Sequence, residues 1–391
     1  MAAPVASALI LIAAIGFSWW RYAENADNLH SVWAILSHGD VPSDLQVYLL
    51  GGQKVAHGQP LYSGDLLPGL PFTYPPFAGV VFSWFGEATH ELGVAWTVAS
   101  ITALSLICWW GTRSLVPAVL LTAFFVLATE PVHATLYFGQ INIFLMLLVC
   151  LDFLPRYRLP GIGVGLAAGM KLTPAYFILL LALQRRWGAV FIAGLTFLCT
   201  VATGFNSVTD ASRFWTESMF NSDRVGYADN PGAQAMRQVL SRELGIESTP
   251  LWLLLTVLVT LLAAAGAHFA LSRSELPLAV SLIGMASCLV SPFSWHHHWV
   301  WIVLFGCVIY RWWGPLMLIV FMLPYAADNV SHELFVVPNL LFTVVPIGFM
   351  GWYVWREVRF PHVISQAHTS SRRDRGDRNR PHPRPPASRQ R

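Results

Sequence analysis

The residues equipped for chemistry stand in a few short clusters between long apolar stretches. The first is Asp40-Val-Pro-Ser-Asp44-Leu-Gln-Val-Tyr48, followed by Gly58-Gln-Pro-Leu-Tyr62 and Pro71-Phe-Thr-Tyr74-Pro-Pro76. Asp44 is the candidate for proton transfer. The competing reading makes it, or Ser43, the N-cap of the short helix LQVYLLGGQKVA. Further along are Tyr137-Phe-Gly-Gln140-Ile-Asn142, Gly165-Leu-Ala-Ala-Gly-Met-Lys171-Leu-Thr-Pro174 and Ser291-Pro-Phe-Ser-Trp295-His-His297-His298-Trp299. Lys171 lies in an apolar setting. An ionisable residue there is by default a functional candidate, although it could merely snorkel to water. The three consecutive His cannot all face one ion from a helix, because neighbours point about 100° apart. A metal site is therefore disfavoured against interfacial His in a Trp-rich belt.

Membrane-spanning elements must position these clusters. The chain has 391 residues, of which 55% are hydrophobic and only 12% charged. Soluble domains carry about a quarter charged residues, so most of this surface faces something other than water. Apolar runs recur near 4–20, 91–110, 114–128, 141–154, 188–206, 250–272, 276–290, 299–310, 313–328 and 336–355. The stretch 159–184 is interrupted at Lys171-Leu172-Thr173-Pro174, where proline breaks a helix. A broken helix at membrane depth is tolerated where it lines a protein or water cavity. The expectation is an all-α polytopic membrane protein of about 10–12 transmembrane helices with a broken pair near 159–184. The run 4–20 reads as a retained first helix, since a basic segment typical of signal peptides is lacking before it.

Orientation follows from the short basic loops, which favour the cytoplasm. Arg113, Arg156, Arg158, Arg185, Arg186, Arg273, Arg311 and the C-terminal tail fall on one side. Loops 21–90, 129–140, 207–249 and 291–298 then reach the outer face of a plasma-membrane protein. Residues 1–355 form a single transmembrane unit. Residues 356–391 carry ten Arg against three acidic residues and few apolar ones, and read as a basic, disordered cytoplasmic tail. Nucleic-acid binding would need a folded module beside that tail, and the sequence contains none. The five Cys all sit in apolar runs without metal-ligand spacing and read as small buried hydrophobes.

Taken in order, the motifs Asp44-Leu-Gln-Val-Tyr48, Gly58-x-x-Leu-Tyr62, Phe72-Thr-Tyr74-Pro-Pro76, Gly139-Gln140-Ile-Asn142, Gly165-Leu-Ala-Ala-Gly-Met-Lys171-Leu-Thr-Pro174 and Ser291-Pro-Phe-Ser-Trp295-His-His-His-Trp299 resemble glycosyltransferase family 87. This is an actinobacterial family of the C-type glycosyltransferase superfamily that uses polyprenyl-phosphate sugars. The resemblance extends from about residue 40 to 300 and leaves out the tail. Within the family the chain looks most like the polyprenyl-phosphate-mannose-dependent α-1,2-mannosyltransferases that extend phosphatidylinositol mannosides. Mannan-branching mannosyltransferases and an arabinofuranosyltransferase belong to the same family.

The resemblance implies the C-type fold and inverting transfer of mannose from a lipid phosphate to a glycolipid hydroxyl. It makes Asp44 the catalytic base, and His297, His298 and Lys171 candidates for holding the leaving phosphate. Tyr48, Tyr62, Tyr74, Gln140 and Asn142 would hold sugar hydroxyls and ring faces. Asn230 and Arg237 would contact the acceptor, although Asp229-Asn230-Pro-Gly-Ala-Gln-Ala-Met-Arg237 departs from the family's Asn-Gln-Ser-type pattern there. No cofactor or metal is expected. A lipid or sugar transporter would also explain the passes and the broken helix, but it predicts similar halves, and the chain has no internal repeat. A scaffolding role would leave six ordered motifs to coincidence.

Overall fold

The computed structural model describes residues 5, 7–16, 41–221, 224–227, 229–326 and 336–360. Asp27, Asp40 and the tail beyond residue 360 lie outside them. The described chain is almost entirely helical. Its one sheet is a two-stranded hairpin, β1 (Asp65–Leu67) with β2 (Leu70–Pro71), in the first polar loop.

The helices run in order: α1 (Ser7–Gly16), α2 (Ser43–Ala56), α3 (Pro76–Phe82), α4 (His90–Thr112), α5 (Leu115–Ala128), α6 (Glu130–Tyr137), α7 (Asn142–Phe153) and α8 (Ile162–Met170). They continue with α9 (Ile178–Leu183), α10 (Trp187–Ser207), α11 (Ala211–Thr216), α12 (Met236–Leu244), α13 (Thr249–Ser272), α14 (Leu276–Val290), α15 (Ile302–Met322) and α16 (Val336–Arg359).

Helices α4, α10 and α13 and the stretch His296–Tyr325 are each long and apolar enough to cross a bilayer. Large apolar side chains stand exposed along their outer faces, including Phe191, Leu195 and Leu198 on α10 and Leu254, Leu258 and Leu261 on α13. Helical spacing of exposed apolar residues is the mark of a lipid-facing stripe. By contrast α14, apolar all round, is buried from Pro277 to Leu289 and forms the centre of the bundle. The chain is an all-α multi-pass membrane protein.

Two breaks shape the bundle. Helices α5 and α6 meet at a bend of 77°, which turns the chain from the apolar layer into the polar end. In α15 the backbone turns back at Gly314, with φ +82° and Pro315 following. Phe305 and Phe321 are consequently in contact, their ring centroids 5.7 Å apart, whereas sixteen residues of straight helix would separate them by ~24 Å. The runs 299–310 and 313–328 are thus two antiparallel pieces with Arg311 near the turn.

The expected break near 159–184 is present. Helix α8 stops at Met170, Lys171 is extended (φ −154°, ψ 131°), and a 3₁₀ turn over Thr173–Phe177 restarts the chain. Helix α8 is held against α10 by small residues. A Cβ on Gly165 would lie 2.6 Å from Ala193 O and Thr196 Cβ, and one on Gly169 would lie 2.2 Å from Thr200 Oγ1. Small residues at four-residue spacing let membrane helices approach this closely. The packing fixes where Lys171 emerges.

The basic loops gather at one end of the bundle. Arg311 forms a two-pronged pair with Glu275 at 2.7 and 2.8 Å, Arg273 pairs with Glu357 at 2.7 Å, and Arg113 reaches Ser274 O. The motif-bearing loops gather at the other end, joined by Asp44 N to Phe138 O, Thr135 Oγ1 to His297 O and Gln234 N to Ser294 O.

Candidate active site

Helix α2 starts after Pro42 and has no side-chain cap. Asp44 sits in its first turn and donates its backbone N–H to Phe138 O at 2.9 Å. Its carboxylate is therefore free of capping duty, and the N-cap alternative does not hold. The carboxylate instead accepts a hydrogen bond from Gln140 Nε2. The orientation of that amide is fixed, because Gln140 Oε1 accepts from Tyr48 OH at 2.9 Å and from Tyr74 OH at 3.0 Å. Gly139 delivers Gln140 to this place. It has φ +69°, and a Cβ there would lie 2.6 Å from Pro42 Cβ. Burial pushes the Asp44 carboxyl up to about 6, against the Gln140 hydrogen bond and the charge of Lys171, which pull it down. Asp44 is nevertheless only half-buried.

Lys171 Nζ donates to Asn142 Oδ1 at 3.1 Å, meets His298 Nε2 at 2.9 Å and lies 5.2 Å from the Tyr74 ring centre. Asn142 Nδ2 donates to His297 O at 2.9 Å, so the opposite edge of its amide is the one offered to Lys171. His298 Nδ1 accepts from the Trp295 backbone N–H at 3.2 Å. A neutral His298 ring therefore carries its proton on Nε2. Two hydrogen-bond donors thus lie side by side, an arrangement that an anionic oxygen placed alongside both would satisfy.

The three imidazoles point to different partners. His296 Nε2 lies 3.5 Å from Glu130 Oε1. His297 stacks on Trp295 at 6.0 Å with an interplanar angle of 19°, and neither of its ring nitrogens is hydrogen-bonded among the described residues. Only His298 reaches Lys171.

The structure thus brings together Asp44, Tyr48, Tyr74, Gln140, Asn142, Lys171 and His298, with His297 beside them. Tyr62 stands one step away. Its hydroxyl donates to Tyr74 O at 2.8 Å, so it props Tyr74. Two other expected residues are not in the cluster. The Asn230 side chain closes a turn on Gly232 N at 2.8 Å, and Arg237 is exposed on α12, its guanidinium 5.1 Å from the Trp252 ring centre.

Two residues escaped the sequence reading. Asp210 accepts the N–H groups of Leu61 and Tyr62 at 2.7 and 2.8 Å, tying the hairpin loop to α11. An Asp before Ala211-Ser-Arg suggests only an N-cap, so no local signal identifies this long-range role. Arg224 has Nε and one terminal nitrogen buried without a hydrogen-bond partner among the described residues. The following residues cross Trp295, whose Nε1 donates to Val225 O at 3.2 Å.

A carboxylate held near a lysine–histidine pair, at the polar end of an apolar bundle, is the candidate site of this multi-pass membrane protein. The profile of glycosyltransferase family 87 matches residues 72–292, and the chain belongs to that family and is a glycosyltransferase. It is 32% identical over 333 residues to the polyprenol-phosphate-mannose-dependent α-(1-2)-phosphatidylinositol mannoside mannosyltransferase of Mycobacterium tuberculosis, covering 76% of this chain and 74% of that one. It is 29% identical over 402 residues to the Mycolicibacterium smegmatis protein of the same name, covering 88% of each. A third relative, the phosphatidylinositol pentamannoside mannosyltransferase of M. smegmatis, is 36% identical over 280 residues, covering 66% of this chain and 67% of its own length. No solved structure matches the chain.

Proposed function

We propose that the protein moves mannose from a polyprenyl-phosphate-mannose donor to a phosphatidylinositol mannoside-type acceptor, with inversion, forming an α-1,2 linkage. The observation that carries this reading is the placement of Asp44, held by Gln140, near the Lys171–His298 pair. The acceptor hydroxyl attacks the anomeric carbon and its proton passes to Asp44. The bond from that carbon to the phosphate oxygen breaks, and its electron pair leaves with the phosphate. Lys171 and His298, with His297 beside them, meet the charge that grows on the departing oxygen. Tyr48, Tyr74, Gln140 and Asn142 orient the sugar, and Tyr62 supports Tyr74. Asn230 and Arg237, outside the cluster on the motif-bearing side, are assigned to the acceptor headgroup.

The direct test is transfer of labelled mannose from the lipid donor by the purified protein. Both phosphatidylinositol mannosides and the pentamannoside should be offered, because the relatives named above differ in acceptor. Sensitivity of the product to an α-1,2-specific mannosidase tests the linkage. Transfer to neither acceptor would overturn the reading.

Lys171 and the His298 ring offer two donors to the leaving phosphate, and the reaction as drawn routes no step through a divalent ion. Activity should survive EDTA with less than a twofold change. A loss restored by added Mg²⁺ or Mn²⁺ would place a metal in the reaction.

The catalytic unit, residues 1–355, is placed with its motif-bearing loops outside and the basic end with tail 356–391 in the cytoplasm, as the Arg-rich loops favour. A cysteine introduced at Asp65, in the hairpin loop, should react with an impermeant maleimide on intact cells. One introduced in the tail should react only after permeabilisation. The opposite pattern would put Asp44 on the wrong side of the membrane for an outer-leaflet donor.

A further inference from the structure

At the basic end of the bundle a cavity of about 660 Å³ opens among the ends of α4, α7, α9 and α13 and the start of α14. Its wall carries Arg113, Arg158, Arg186 and His268 and no carboxylate. This sets it apart from its surroundings, where Arg311 and Arg273 are each neutralised by Glu275 and Glu357. Arg186 donates only to uncharged oxygens, those of Asp152 O at 2.7 Å, Leu159 O at 2.9 Å and Gln184 Oε1 at 3.3 Å. Arg113 reaches only Ser274 O, at 3.4 Å, and Arg158 has no ion pair among the described residues. Asp152, whose carbonyl Arg186 holds, spends its carboxylate on the backbone N–H groups of Gly161 and Val164, both at 2.7 Å. Among the described residues, then, none of the three arginines of the cavity has an ion pair.

The rest of the wall is apolar, with Leu154, Leu183 and Leu271 among the lining residues. Trp109 and Trp187, at this end of α4 and α10, are 47% and 64% exposed. Exposed Trp at a helix end marks the membrane–water interface, so the cavity lies at headgroup depth. Basic pockets between membrane helices suit anionic headgroups. The cavity is also separate from the transfer site. Asn142 begins α7 in that site and Leu154 follows its last residue in the cavity, and twelve helical residues span ~18 Å.

We propose that this cavity binds the phosphodiester of an anionic glycerophospholipid, with Arg113, Arg158 and Arg186 on the phosphate and an acyl chain along the leucine wall. The inference is independent of which sugar the enzyme transfers. The test is native mass spectrometry of the full-length protein titrated with phosphatidylglycerol or with phosphatidylcholine. Both lipids carry the phosphodiester, but the choline cation of phosphatidylcholine meets the arginines as a like charge, so phosphatidylglycerol should half-saturate one site at roughly tenfold lower concentration, a difference of ~1.4 kcal/mol. In R113Q/R158Q that preference should fall below twofold, and R113K/R158K should retain most of it. The Arg-rich tail is present in all three proteins and cancels in the comparison. Arg186 is left in place because it holds Asp152 and Leu159. An unchanged preference in R113Q/R158Q, with an unchanged melting temperature in phosphatidylcholine nanodiscs, would overturn the site. Displacement of the bound phosphatidylglycerol by millimolar inorganic phosphate would overturn its assignment to a lipid.

Discussion

Asp44→Asn should insert and melt like the parent while glycosyl transfer falls by ~10²–10⁴, the scale of a lost general base. The asparagine side chain offers an oxygen to Gln140 Nε2 as the carboxylate does, and α2 loses no cap because Asp44 does not cap it. What it cannot do is take the acceptor's proton. The parent should also show an acid limb in its pH profile. Burial raises the Asp44 carboxyl to about 6, and the active form is the ionised one. The rate constant kcat/KM should therefore fall about tenfold per pH unit below that value and level off above it. Asp65→Asn is the control, since Asp65 is exposed in the hairpin loop and bonds only Gly69 N. Normal turnover in Asp44→Asn, or an acid limb unchanged by the substitution, would remove Asp44 from the reaction.

Lys171→Ala and His298→Ala should each lower kcat by ~10²–10³, the usual loss when one preorganised donor to developing charge is removed. The two act on the same anion, and in the parent they touch at 2.9 Å. The double variant should consequently lose less than the product of the single effects. A purely structural role predicts instead a lower melting temperature with kcat preserved. His297→Ala probes a different contact, since the His297 ring packs against Trp295 while its carbonyl accepts from Thr135 and Asn142. Near-normal turnover in a variant altered at all three positions would return these residues to the role of interfacial side chains.

Much of this protein is decided by sequence alone. The low charge and recurring apolar runs dictate membrane helices, because a bilayer excludes unpaired backbone polar groups. The run ends fall within a few residues of the helices, as with 91–110 against His90–Thr112 and 250–272 against Thr249–Ser272. Lys171-Leu172-Thr173-Pro174 breaks its helix for a local reason, the proline. Asp44, Gln140, Asn142, Lys171 and His298 are each recognisable from their motifs.

Only the tertiary structure decided which of those residues meet. Asn230 and Arg237 carry the right chemistry and lie on the motif-bearing side, yet α12 turns Arg237 onto Trp252. Tyr62 looks like a sugar ligand, but its hydroxyl is committed to Tyr74 O. His297 and His298 read alike until the 3₁₀ turn over His296–Trp301 sends His298 alone to Lys171. The role of Asp210, the burial of Arg224 and the arginine-lined cavity around Arg158 have no local signature. The physical reason is common to them all. Helix breaks and apolar runs are governed by neighbouring residues, whereas hydrogen bonds such as Asp210 to Tyr62, 148 positions apart, depend on how whole helices pack.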